Sequence, residues 1–410
     1  MKKLVFGIIV SLLCGACYYN TTPSAATILG NPNYQAISYS GYRYPTRDSV
    51  PSIEQIKEDM LLLAALDIKL LRTYDTQSPQ TERILQAIDQ LKKEQANFEM
   101  YVMLGAWIDC LHARTDSANH QEEDLIANTK EITLAIEMAQ RYPNIVKVIA
   151  VGNEAMVHWA TGYFVTPNII LKWVNHLQNL KKEGALPNDL WITSSDNFAS
   201  WGGGSTDYHN PDLVALIKAV DFVSLHTYPF HDTHYNPSFW LHPNQHAPQN
   251  NQALYLAYCN EAIHQAVNYA KNQYYAVANY VHQIDSTKPI HIGETGWASN
   301  DAHLYGAAGS MAADQVKAAL FHHEMRQWTN KNGISCFFFE AFDEPWKDAL
   351  HPLNSENHFG LFTVDGKAKY VLWKEVDKGT FKGLTRCGNP IQKTFNGQDS
   401  LLFAPIFTNK

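Results

Sequence analysis

Val148-Ile149-Ala150-Val151-Gly152-Asn153-Glu154 is an apolar run that ends in an amide and a carboxylate. It reads as a buried strand whose last residues emerge at a rim. The same design recurs in Ile290-His291-Ile292-Gly293-Glu294-Thr295-Gly296-Trp297. From about Gln35 onward, short apolar runs alternate with longer amphipathic ones, the pattern of βαβ units and a parallel sheet. The predicted strands are Gln35 to Tyr42, Ile68 to Tyr74, Phe98 to Trp107, Val146 to Asn153, Leu190 to Asp196, Val220 to Tyr228, Pro289 to Thr295 and Ser335 to Phe342. Helices are predicted between them, such as Ser52 to Leu66 and Gln315 to Trp328. Ser52 before Glu54 and Thr166 before Pro167 are start signals. Eight alternations favour a closed barrel, which leaves no edge strand, over a doubly wound sheet. The expected fold is therefore α/β, a (β/α)8 TIM barrel in a single domain with rim insertions. Right-handed crossovers put every strand C-terminus on one rim. Glu154 and Glu294 would then leave the fourth and seventh strands on the same side.

The chain has 410 residues, 45% of them hydrophobic, enough for one large core, and its formal net charge is -8. No Lys/Arg run of the kind that neutralises phosphates is present, so nucleic acid is not an expected partner. Residues 1–17 read as an export signal, with Lys2 and Lys3 ahead of the apolar run Leu4 to Leu13, then Gly15, Ala16 and Cys17. The apolar run is too short to span a bilayer. Gly-Ala-Cys resembles a lipoprotein box, with Cys17 as the acylated mature N-terminus and the only route to a membrane; cleavage after Ala26 is the competing reading. Either way, the mature protein is expected outside the cytoplasm, lipid-anchored at the cell envelope or secreted. The remaining divisions are an N-terminal linker at 18–34, the barrel at 35–384 and a C-terminal appendage at 385–410. Cys110, Cys259, Cys336 and Cys387 show no CxxC spacing, and Cys336, inside an apolar run, reads as a buried thiol.

Burying a lone carboxylate at a strand end costs several kcal/mol unless it is paired or employed. Two such carboxylates on one rim suit glycosidic bond cleavage, in which a protonated acid releases the leaving oxygen and an ionised one attacks or activates water. Retention asks for a separation of about 5 to 5.5 Å and inversion for a wider gap, and the residue spacing leaves both open. Asn153 carries an amide able to donate to a sugar 2-hydroxyl. The plainer alternative is that each glutamate caps a helix or pairs with an arginine.

Gly152-Asn153-Glu154 and Gly293-Glu294-Thr295-Gly296-Trp297-Ala298-Ser299 resemble the two signature segments of glycoside hydrolase family 17, the β-1,3-glucanase family of the large retaining-glycosidase clan. Leu71-Arg72-Thr73-Tyr74-Asp75 is similar to that family's second strand, Thr227-Tyr228-Pro229 to its sixth, and Phe339-Glu340-Ala341-Phe342-Asp343-Glu344 with Lys347 to its eighth. His358-Phe359-Gly360-Leu361-Phe362 resembles the segment that follows, so the likeness runs from about Gln35 to Tyr370. The resemblance implies a retaining mechanism on β-1,3-glucan of the laminarin type. Glu294 attacks, Glu154 serves as general acid/base, and a glucosyl ester of Glu294 is hydrolysed. It also implies that ionised Glu294 keeps Glu154 protonated. Glu344 and Lys347 carry over to the cleft. Tyr228 holds the nucleophile or contacts the sugar, and Arg72 orients a carboxylate or forms a structural ion pair. Tyr74, Trp297 and Trp346 complete the expected substrate-binding set. Gly105-Ala106-Trp107-Ile108-Asp109 departs from the plant members, and rim segments around Trp201 and from Phe230 to Asn251 are particular to this chain.

Three other readings stand beside this one. A glucanosyltransferase uses the same ester with a sugar as second acceptor, and aromatic subsites at Trp201, Trp240 or Trp346 would favour it. A non-catalytic glucan-binding barrel would not need both glutamates. A metal-dependent hydrolase would recruit His226, His231 and His234, which read more simply as loop histidines. No metal or cofactor is expected, and the protein is expected to act as a monomer.

Overall fold

The computed structural model describes residues 22–241 and 252–408, the last five by backbone alone. The export signal, Cys17 and the second part of the Phe230 to Asn251 segment lie outside the described residues. Among the described residues, eight parallel strands close into a barrel, each paired with its sequence neighbour and the eighth with the first. They are Gln35–Ser38, Ile68–Arg72, Tyr101–Ala106, Val146–Asn153, Trp191–Asn197, Val223–His226, Ile290–Gly296 and Cys336–Phe339.

Strand alternation sorts the apolar residues into two layers. Ala36, Leu70, Met103, Val148, Ala150 and Phe337 point inward and fill the lower barrel, while Ile37, Leu71, Leu104, Ile149 and Val151 face the helices. The short helix Ala25–Ile28 adds Ala25 and Ile28, both fully buried, to the inner layer. The stretch expected as a linker thus packs against the barrel from about residue 24 onward. Farther up the same inward rows stand Arg72, Ser195, Ser224 and His226, all buried. The core changes from apolar to polar as the strands approach the rim.

The helix Ile53–Ala64 begins in a capping box, with Gln55 N–H donating to Ser52 Oγ and Ser52 N–H to Gln55 Oε1. The helix Pro167–Lys182 starts on its proline, but the Thr166 side chain makes no capping bond. Inserted on the rim after the third strand is a small hairpin of Cys110–Leu111 with Asn119–Glu123. The tail is also integral. Arg386 is fully buried, its guanidinium bonded to Asp59 at 2.8 Å and seated 3.8 Å over the Phe342 ring. Leu402 and Phe403 pack with Val316 and Trp373. Cys110, Cys259, Cys336 and Cys387 are free thiols, the first three buried.

Candidate active site

Two local irregularities turn the glutamates toward the barrel mouth. Gly152 has φ of 81°, and the pairing of the fourth strand with the fifth slips between Ala150 and Asn153. Only glycine takes that backbone freely. Glu154 itself has φ of 47° and donates its N–H to Ser195 O at 3.0 Å. On the seventh strand a Cβ at Gly293 would collide with the hydroxyls of Ser224 and Ser195. The slip there pairs His226 with Glu294. Both carboxylates therefore project into the same cleft, of about 1440 Å³.

Glu294 is 9% exposed and heavily bonded. Arg72 Nη1 donates to its Oε2 at 2.5 Å, Tyr74 Oη donates to the same oxygen at 3.0 Å, and Tyr228 Oη donates to Oε1 at 2.5 Å. Burial alone would raise this carboxyl. The positive fields of His226 and Arg72, the Tyr228 hydroxyl and Lys347 reverse that and hold it at about 2. Burial, then the Glu294 charge, pushes both tyrosines well above the usual phenol range, so they stay protonated donors. Glu294 is thus a fixed, ionised carboxylate.

Glu154 has a different environment. His226 Nδ1 lies 3.1 Å from its Oε1, while its Oε2 has no hydrogen-bond partner among the described residues. His226 is fully buried and fixed from behind by Ser195 Oγ, 2.8 Å from its Nε2. Asp196 accepts from Met156 N–H at 2.7 Å, which pins the turn after Glu154. Burial pushes the Asp196 carboxyl up to about 6 despite that bond and the one from Ser200.

Arg72 links the two halves. Its Nη1 also donates to Gly293 O at 2.8 Å, and its Nη2 to Asn153 Oδ1 at 2.5 Å. Asn153 consequently turns its NH2 away from Arg72, free to donate to a hydroxyl. Asn153, Tyr74, Tyr228, Glu344, Trp346 and Lys347 all line the cleft.

Several expectations are corrected. Arg72 orients a carboxylate as expected, holding Glu294 and Asn153, but it is 1% exposed and does not line the cleft, so it has no surface for sugar and is not a substrate-binding residue. Trp297 is 2% exposed, donates to Ala312 O at 2.8 Å and packs on Phe230, Trp240 and Phe321, so it belongs to the helix-facing core. Trp201 and Trp240 are buried too, with their Nε1 atoms bonded to Ser224 O and Ser310 O, and offer no acceptor surface. His226, His231 and His234 do not converge: His226 turns to Glu154, His231 Nδ1 lies 3.1 Å from Tyr305 Oη, and His234 packs edge-on to Tyr235.

The structure also shows residues that the sequence reading missed. His226 stands out only as a polar residue ending an apolar strand, the same signal as Glu154. Trp159 and Tyr235, 61% and 64% exposed, line the cleft from the loop after the fourth strand and the short helix Pro229–Tyr235 after the sixth, where open aromatic faces suit sugar stacking. Arg47 stacks 4.7 Å over Trp346 from the first loop.

The family model described as BtgE/BtgC glycoside hydrolase domain matches residues 36–360. The crystal structure of an endo-laminarinase from Formosa Hel1_33_131 is similar at 58% identity and a TM-score of 0.90, covering 94% of this chain and 97% of that one. A probable glucan endo-1,3-beta-glucosidase btgC of Aspergillus terreus is 24% identical over 351 residues, covering 82% of this chain and 45% of that protein. The chain thus spans about half the length of the curated relatives it matches. A Rhizomucor miehei beta-1,3-glucanosyltransferase in complex with laminaritriose, 19% identical with a TM-score of 0.56 over 83% of this chain and 96% of that one, shares the fold. The match over 36–360, which takes in both glutamates and the whole barrel, shows that this chain belongs to the BtgE/BtgC glycoside hydrolase domain family.

Proposed function

We infer that this protein is a β-1,3-glucanase of the endo-laminarinase type that cleaves with retention by double displacement, within glycoside hydrolase family 17. The observation that carries the reading is the contrast between two carboxyls in one cleft. Glu294 is held ionised by three donors, and Glu154 keeps an oxygen unbonded in the same cleft. A nucleophile must be charged and fixed, and an acid must present an oxygen to the leaving group.

In the first step Glu294 attacks the anomeric carbon while Glu154 gives its proton to the departing glycosidic oxygen. The charge that leaves Glu294 is replaced by an ester bond, and the Tyr74 and Tyr228 hydroxyls and Arg72 keep that ester oriented. In the second step Glu154, now a carboxylate, takes a proton from water as it attacks the same carbon, and Glu294 leaves with its charge restored. Asn153 donates to the sugar 2-hydroxyl, a bond that strengthens as positive charge builds at the ring. The 58% identity to an endo-laminarinase supports attack within a chain and that substrate class.

Transfer to a sugar is a second reading, favoured by the exposed ring of Trp159, five residues after Glu154, where an acceptor would lie. Laminarin incubated with wild type and Glu294→Ala separates the possibilities by chromatography. Shortened products from wild type alone support hydrolysis, products longer than the substrate support transfer, and equal activity in the variant refutes both. For the N-terminus we propose export with acylation at Cys17, which palmitate labelling of the wild type but not of Cys17→Ser would support. We further propose a monomer, checked by light scattering.

A further inference from the structure

The eighth strand ends on two acids, and the reaction described above uses neither. Glu340 is 2% exposed, and its backbone is pinned by a hydrogen bond from its N–H to Phe359 O at 3.2 Å and from Leu361 N–H to its carbonyl at 3.0 Å. Its side chain adjoins the carboxyl of Glu344, itself 3% exposed. Two buried carboxyls side by side need a proton between them, because ionised carboxylates repel and only accept. Glu340 Oε1 receives no hydrogen bond from any described residue. Beside Glu344 stands Lys347, with Nζ 3.7 Å from Glu344 Oε2 and 3.9 Å from the Phe339 ring centre. Glu344 and Lys347 line the cleft, and Glu340 is enclosed.

The surroundings decide which acid holds the proton. Burial, then the charge of Glu344, raises Glu340 well above the carboxylate range, with Lys347 opposing and Asp343 adding. Burial raises Glu344 as well, but Lys347, the contact with Glu340 and Arg47 oppose it, so Glu344 is raised less than Glu340 and gives up its proton first. Lys369, paired with Asp343 at 2.5 Å, is the other cation on the Glu340 side, and Tyr74 is the phenol that feels its charge. Lys347 is in turn faced by Glu356 and Glu294.

We propose that Glu340 is a positioning residue for the reaction: as a neutral acid it donates to Glu344, fixes that carboxylate as the paired counter-charge of Lys347, and leaves the ammonium acting on Glu294 and on the hydroxyls of the sugar it attacks. With both acids ionised, two negative charges would face one lysine and cancel its field at Glu294. With both neutral, Lys347 would lose its paired counter-charge and be left to the fields of Glu356 and Glu294. The proposal rests on the glucanase reading of Glu294, and its test separates the two.

Glu340→Gln keeps a donor for Glu344 and cannot ionise, whereas Glu340→Leu fills the space without one. The glutamine variant is expected to keep kcat/KM on laminarin within about threefold of wild type at neutral pH and to move the alkaline limb upward by roughly half a pH unit or more. The leucine variant is expected to lose about thirtyfold or more in kcat with KM nearly unchanged, at an unaltered or higher Tm. Wild-type kcat in Glu340→Leu, or an unmoved alkaline limb in Glu340→Gln, overturns the proposal. If Glu340→Leu does not fold, the glutamine profile decides. Infrared difference spectroscopy at neutral pH supplies a readout that needs no turnover: of the protonated-acid C=O stretches, to which Glu154 also contributes, one is kept in Glu154→Gln and lost in Glu340→Gln. No such loss in Glu340→Gln also overturns the proposal. Failure of wild type to cleave any β-glucan would sink the glucanase reading and leave the infrared band to judge Glu340.

Discussion

Arg72 places two acceptors on its Nη1 and a third on its Nη2, and no lysine can copy that planar fork. Arg72→Lys is therefore expected to leave KM for laminarin nearly unchanged and to lower kcat by about 10²-fold, since the loss is of orientation at the reacting atoms. A rise in KM at constant kcat would instead make Arg72 a binding residue. At Glu154 the acid role has its own signature. Glu154→Ala should lose least on substrates whose leaving group needs no proton, and azide should restore turnover as a β-glucosyl azide. No rescue would remove Glu154 from that role. Glu294 couples the site to stability. Its folded carboxyl sits at about 2 against an ordinary 4.5, so the folded state holds its proton more weakly than the unfolded chain does. The stability this contributes is present above about pH 4.5 and is lost as the pH falls toward 2. The Tm advantage of wild type over Glu294→Gln should grow from pH 3 to pH 6, and a constant difference would contradict the assignment. These roles were partly legible beforehand, because a charged residue ending an apolar strand demands an explanation. His226 was not, since a histidine two residues before a tyrosine and near two others reads equally well as part of a loop cluster.

The strand is the element that decides what reaches the cleft. The eight predicted strands are the eight observed, and the fourth matches to the residue, Val146–Asn153. The first, sixth and eighth were expected longer than Gln35–Ser38, Val223–His226 and Cys336–Phe339. Aromatic residues beyond those ends suit a strand, yet Tyr39, Tyr42 and Tyr228 leave the ladder to line the cleft. Composition does not distinguish a ring that pairs in a sheet from one that faces a sugar. Trp297 shows the converse, since it follows the nucleophile segment and yet faces the helices, three residues after the slip that turned Glu294 inward. That slip depends on Gly293. Gly293→Ala would drive a methyl into Ser195 and Ser224, and we expect a loss of about 1–3 kcal/mol in stability by denaturant unfolding, with a larger proportional loss in kcat. Unchanged stability would mean that the strand accommodates the methyl without moving Glu294.

For the molecule as a whole, the closed barrel follows from counting strands, whereas the tail at 385–410 falls outside any eightfold pattern. The structure gives it a part in the fold. Asp59, fully buried, is shared between Arg386 and Arg43 and accepts from Tyr39, which reaches the cleft. Removing one partner of a buried pair leaves a charge uncompensated, at about 3–5 kcal/mol. Truncation after Leu384, or Arg386→Met, should lower stability by that order, while Asp59→Asn with Arg386→Met should recover part of it; equal stability of the truncated chain would show that the tail is only attached. Double displacement requires Glu294 to form a bond to sugar. Its most direct test is intact-mass and peptide analysis after incubation with a 2-fluoro laminaribiosyl fluoride, which forms the ester but resists its hydrolysis. We predict one added fluoroglycosyl unit on the peptide bearing Glu294 and none in Glu294→Ala. Cleavage of laminarin with inverted anomeric configuration and no adduct would contradict the double displacement.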